Sequence, residues 1–208
     1  MKKHLFLSIL ILSAGLLFAE NPHTLDTVCL SLASHKNTVG NFTQTKTLQA
    51  NGRKLKSTGK YIICQDGILW QTEKPVPSSL ILTKTTMVQI AANGNRSVMN
   101  GKDNQVFANI SETLSSVFSG DVASLKKNFV CDFAAGSDGN WSVSLTPKDS
   151  TIASVMKTLV LSGTYDNYAE MKSLVMSESS GNTITYDFTN QKYPEELTKD
   201  EKQNFVVE

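Results

Sequence analysis

LKSTGKYIICQDGILWQTEKP, residues 55–75, is the stretch that decides the fold. Leu55 to Gln65 carries threonine, tyrosine and isoleucine in the pattern of a strand, and Asp66-Gly67 is a two-residue turn signal. Ile68 to Glu73 returns with Trp70 at its centre, and Pro75 and Pro77 break the ladder. Two residues between strands leave no room for a crossover helix, so this pair is an antiparallel hairpin.

The same grammar extends outward. NFTQTKTLQ (Asn41 to Gln49) reads as a strand built around Phe42, with Asn51-Gly52 as the turn into the next. Ser79 to Thr83 and Met87 to Ala92 form a further pair closed by Asn93-Gly94, with Arg96 in the turn that follows. Lys46 and Lys60 are assigned to the outer face of the sheet. Farther along, Phe129 to Phe133 is a strand ended by GSDG (136–139), and Trp141, Val143 and Leu145 alternate with Ser142, Ser144 and Thr146. Leu159 and Leu161 belong to a strand that Gly163 ends; Met171 to Glu178 alternates less cleanly, and Ile184, Tyr186 and Phe188 alternate well.

Helical spacing occurs in a few places. Leu25, Val28, Cys29 and Leu32 predict a helix within Pro22 to Lys36. Val106, Phe107, Ile110, Leu114, Val117 and Phe118 form one apolar stripe, with Asp103 as its cap and Gly120 as its stop. Asp121 to Lys127 adds a short helix, and the charged tail from Pro194 is expected to lie loosely, with Phe205 as its one docking group. Roughly nine to eleven strands against two or three helices give a mainly β (α+β) chain. A sheet of that size curls, so the expected architecture is a strongly curved antiparallel sheet, an incomplete β-barrel with helices against its concave side.

MKKHLFLSILILSAGLLFA (Met1 to Ala19) has the charged start, apolar core and small final residue of a signal peptide. Residues 20–208 then form a single exported domain, large enough to bury a core without metals. Loss of Lys2 and Lys3 turns the formal charge of +1 into −1, so the electrostatic footprint of nucleic-acid binding is missing. Cys29, Cys64 and Cys131 have neither metal-ligand spacing nor a CxxC motif and read as buried free thiols, although a bridge between two of them stays open. His23 and His35 read as surface residues. The chain carries no G-x-S-x-G elbow, no H-E-x-x-H and no phosphate loop, so it is read as a non-enzyme without cofactor or metal.

Several short motifs occur in a distinctive order: FTQTK (42–46), STGKY (57–61), GILWQTEKP (67–75), SSLILT (78–83) and NWSVSLTPK (140–148). Together they resemble the periplasmic outer-membrane lipoprotein carrier family, the LolA family. The N-terminal segments look closest to a divergent branch whose members accompany exporters and lipid or polyene-type biosynthetic genes. The resemblance implies an incomplete barrel closed by a helical lid over a cavity for acyl chains, lined here by Phe42, Tyr61, Ile68, Trp70, Leu80 and Leu82, with Phe107, Ile110, Leu114 and Phe118 on the lid. Carriers of that family place a lid-holding arginine between the glycine and tryptophan strands, whereas this chain has Gln65 and Asp66 there.

The expected function is therefore that of a periplasmic carrier, a monomer that moves an acylated lipoprotein or lipid cargo from an inner-membrane exporter to an outer-membrane receptor. The alternatives are a periplasmic lipid-sensing adaptor that regulates a membrane partner and, with less support, an exported hydrolase.

Overall fold

The computed structural model describes residues 23–83, 85–100, 113 and 115–206. The signal-peptide reading of residues 1–19 and the lid residues Phe107, Ile110 and Leu114 lie outside them. Helix α1 (Leu25–Ala33) leads into strands β1 (Thr38–Thr47), β2 (Lys54–Cys64), β3 (Gly67–Lys74), β4 (Ser78–Leu82), β5 (Thr86–Ile90) and β6 (Arg96–Asn100). A helical segment over residues 115–119 (α2) precedes α3 (Val122–Asn128), β7 (Phe129–Ala135) and β8 (Asn140–Pro147). The chain continues through α4 (Ser150–Ala153), β9 (Met156–Tyr165), β10 (Ala169–Glu178), β11 (Thr183–Lys192) and α5 (Lys199–Gln203).

The strands form one antiparallel sheet in the order β6-β5-β4-β3-β2-β1-β11-β10-β9-β8-β7, so β6 and β7 are its two edges and the sheet is not closed. The first and last strands of the two hairpin runs, β1 and β11, meet at its centre, with Phe42 opposite Phe188 and Gln44 opposite Tyr186. Every other neighbour is sequential, which is what short Gly- and Asn-containing turns between alternating runs dictate.

Period two sorts the side chains onto two faces. On the inner face, Tyr61 pairs with Trp70, Trp70 with Leu80 and Leu80 with Gln89 in one cross-strand row. Ile63, Ile68, Leu82 and Met87 make the row beside it. A buried cluster runs along this face from Leu82 on β4 to Val143 and Leu145 on β8 and takes in Leu25, Val28, Cys29 and Leu32 of α1. The helices sit where these apolar rows need cover. Thr24 caps α1 by accepting from the Thr27 N–H, so the helix begins at Leu25, the first residue of the apolar spacing. The Ala169 N–H donates to Ser31 Oγ at 2.7 Å, tying α1 to β10. Lys126 on α3 reaches Asp26 on α1 at 3.2 Å. Gly120, with φ of 73°, stops α2 as expected.

The outer face is less polar than a solvent face. Ile62, Leu69, Ile81 and Val88 form a second row, fully paired across β2 to β5, and Leu197 and Phe205 from the C-terminal segment cover it. The tail is thus a docked strap rather than a loose end. Its N-terminal part is held by Asn37, whose side-chain amide donates to the Pro194 and Glu195 carbonyls at 3.0 Å each. The charges that suggested a loose tail lie on its outward side, and a capping box between Thr198 and Glu201 orders α5.

Arg96 and Lys46 are placed differently from expectation. Arg96 opens edge strand β6, paired with Ile90, rather than lying in a turn; β6 is short and mostly exposed and offers little alternation to read. Lys46 follows Phe42 and Gln44 at period two and therefore belongs to the inner face, whereas Lys60 is on the outer face and meets Glu73 at 2.9 Å. The weak alternation of β10 comes from a register shift between Met171 and Ser173, which lets Met171 and Leu174 both enter the inner core.

Candidate functional site

The described helices cover the β7–β10 half of the inner face, with α1 against β10 and α3 against β7. Over the other half the face opens into a pocket of about 340 Å³. Phe42, Trp70, Leu80, Met87 and Tyr186 supply apolar and aromatic surface, and Gln44, Thr72, Ser78, Ser79 and Gln89 supply neutral polar groups. No charged side chain lines this pocket among the described residues.

The aromatic residues form one connected set. Phe42 lies 5.7 Å from Tyr186, Trp70 lies 6.1 Å from Tyr186, and Tyr61 lies 5.0 Å from Phe188, all in tilted arrangements. Room for it comes from two glycines. The ring of Tyr61 occupies the space that a side chain at Gly40 would fill, its nearest atom 2.8 Å from the position of an added methyl. At Gly59, between Phe42 on β1 and Thr72 on β3, the β3 backbone closes over the bare α-carbon. A register shift between Thr58 and Gly59 marks the same place, so β2 and β3 are pinched together beneath the pocket.

Electrostatically the pocket is quiet. Burial pushes the Tyr186 phenol up to about 12, so it stays neutral and can donate a hydrogen bond throughout the physiological range. The charged groups on this face stand apart: Lys46 Nζ and Glu178 Oε1 pair at 2.8 Å. The Lys46 hydrogen bond, backed by one from Asn182, holds the Glu178 carboxyl below its ordinary pKa. Trp70 Nε1 is covered from solvent and has no hydrogen-bond partner.

The predicted lining residues divide into three groups. Phe42, Trp70 and Leu80 line the open pocket. Ile68 and Leu82 are packed in the core at 4 % and 6 % exposure. Tyr61 and Phe118 border a separate cavity of about 20 Å³ that also touches Leu32 and His35, room for about one water molecule. Sequence reasoning passed over Gln44, Met87, Gln89 and Tyr186. Tyr186 was visible as one of three alternating apolar residues, but its place beside Phe42 depends on the long-range β1–β11 pairing.

His35 is not a plain surface residue. Its ring stacks on Tyr193 with centroids 3.7 Å apart, and its Nε2 is covered and unpartnered. Burial lowers its pKa, with Glu170 acting in the opposite direction. The three cysteines are free thiols; Cys29 is fully buried and its thiol is raised to about 11, chiefly by that burial. Among the described residues no group of three or more His, Cys, Asp or Glu side chains is placed to hold a metal ion. No described helix is long and apolar enough to cross a membrane.

Comparison with solved structures finds a DUF1329 family protein from Desulfovibrio piger, at 10 % identity and a TM-score of 0.48, covering 84 % of this chain and 92 % of that one. A LolA superfamily protein from Nitrosomonas europaea follows at 9 % identity and a TM-score of 0.44, covering 85 % of this chain and 96 % of that one. No curated protein matches the sequence. The family model for the outer membrane lipoprotein carrier protein LolA matches residues 33–203, which takes in every described strand of the sheet and the strap as far as Gln203. The chain belongs to the outer membrane lipoprotein carrier protein LolA family.

Proposed function

We propose that this protein is a periplasmic carrier that shelters acyl chains in the inner-face pocket and moves an acylated lipoprotein or lipid cargo between the inner and outer membranes without chemical change. The observation that carries the reading is the open pocket floored by Phe42, Trp70, Leu80, Met87 and Tyr186, with no charged side chain among its described lining, on the face that α1 and α3 leave uncovered. At about 340 Å³ it falls within the usual range of roughly 300–1,000 Å³ for small-molecule sites.

The physical need is simple. Each methylene withdrawn from water gains about 0.8 kcal/mol, so a long acyl chain left in water costs on the order of 10 kcal/mol. An apolar floor removes much of that cost. The neutral polar wall limits affinity, so cargo is released to a tighter receptor without an energy source at the carrier. The strap lies on the outer face, opposite the pocket.

Mass spectrometry of organic extracts from protein purified gently from its native compartment tests the reading. A stoichiometric acylated species is the expected result. Protein that is empty, and that also fails to bind fluorescent fatty-acyl probes, refutes the carrier and favours a protein-binding adaptor.

A further inference from the structure

Trp70, which lines the pocket, carries a covered polar atom with no hydrogen-bond partner. Trp70 sits at the centre of the row Tyr61–Trp70–Leu80–Gln89, its ring forms part of the pocket wall, and its Nε1 is covered and lacks an acceptor. Trp141, the other tryptophan, shows what a buried indole ordinarily does: its Nε1 donates to the Thr164 carbonyl at 3.0 Å. A buried donor left unmet is a cost that native proteins seldom keep without a use.

We propose that Trp70 Nε1 is a specificity donor for a carbonyl oxygen of the cargo, and that the pocket selects uncharged, ester- or amide-linked acyl groups. The inference rests on the carrier reading of this pocket. Three features converge on it. The indole N–H is a donor only, so its complement is an acceptor. Among the described residues the lining holds no cation to meet a phosphate or a carboxylate, so a free fatty acid would find no counter-charge in them. The neutral groups Gln44, Thr72, Ser78, Ser79 and Gln89 rim the apolar floor, which fits an acyl chain continuing into a polar but uncharged linkage. A cargo carbonyl brought beside Leu80, the cross-strand neighbour of Trp70, supplies the acceptor that the indole lacks within the protein.

The experiment follows the two indole N–H resonances of the full chain by ¹⁵N-edited NMR, with Trp141→Phe to assign them. The titrants are a long-chain fatty acid methyl ester and the ether of equal length, which lacks the carbonyl. The expected result is a downfield shift of the Trp70 resonance with the ester and a smaller one with the ether. Trp70→Phe, which keeps an aromatic ring but removes the donor, trims contact with both probes and should weaken the ester by about a further two- to tenfold relative to the ether. If both probes bind but the Trp70 resonance responds equally to each, or if Trp70→Phe weakens both alike, the donor role is overturned while the carrier reading stands. If neither probe binds, the carrier reading itself fails. Should Trp70→Phe not fold, the wild-type resonances decide alone.

Discussion

Replacing Gly59 by alanine should damage both the sheet and the pocket, and the structure allows the size of the effect to be worked out. A methyl group at Gly59 would press on the Gln71 carbonyl oxygen and lie 2.9 Å from both the Gln71 carbonyl carbon and the Thr72 Cα, all of them backbone atoms of the paired strand. Backbone cannot rotate away as a side-chain tip can, so β3 must retreat from β2 until the contact is relieved. That movement stretches the neighbouring ladder, and each hydrogen bond lost there is worth about 1 kcal/mol. Overpacking adds about 1–3 kcal/mol. A total of about 2–4 kcal/mol follows, or a fall in Tm of about 4–16 °C for a domain of this size. Thermal unfolding followed by circular dichroism supplies the number, and an acyl-probe titration of the folded variant should show weakened binding, because Trp70 and Thr72 move with β3. A Gly59→Ala protein with wild-type Tm and probe affinity would refute the account of a pinched β2–β3 crossing beneath the pocket.

Two further outcomes follow from the strap and from His35. Phe205→Ala should cost about 2–4 kcal/mol by emptying the outer-face cluster and should speed proteolytic removal of the C-terminal segment, yet leave acyl affinity unchanged because the strap and the pocket occupy opposite faces. Burial disfavours the charged form of His35, so its folded pKa lies below its ordinary value near 6.5. As the pH falls from 6.5 toward that lower value the unfolded chain takes up the proton first, and stability drops; Tm measured between pH 7.5 and 5 should decline less steeply in His35→Phe than in the wild type.

The sheet was legible because its strands are joined by short turns and alternate one apolar with one polar residue. Asn51-Gly52 and Asp66-Gly67 announced their hairpins, and the period from Trp141 to Leu145 announced β8. What escaped reading depended on contacts distant in sequence. The meeting of β1 with β11 puts Gln44 opposite Tyr186, and no local pattern at either residue signals it. The strap was misread because its outward charges are obvious in the sequence, whereas the need to cover Ile62, Leu69, Ile81 and Val88 appears only once four strands align them. Lys46 was assignable by counting from Phe42, but its partner Glu178 comes from β10. Of the expected lining, Phe42, Trp70 and Leu80 meet at one pocket; Ile68 and Leu82 are equally apolar and equally well placed in sequence, and only packing separates wall from core.

Carriage by this protein requires that acyl chains lie against Trp70, on the half of the inner face that the described helices leave open. The most direct test is quenching of tryptophan fluorescence by a nitroxide-labelled fatty acyl ester, read separately in Trp141→Phe and Trp70→Phe proteins. Trp141 lies on β8, six places along the sheet from Trp70 on β3, and is not among the residues that line the pocket. The account predicts strong, saturable quenching of Trp70 and little of Trp141. Equal quenching of both, or quenching of Trp141 alone, would place the chain elsewhere and contradict it.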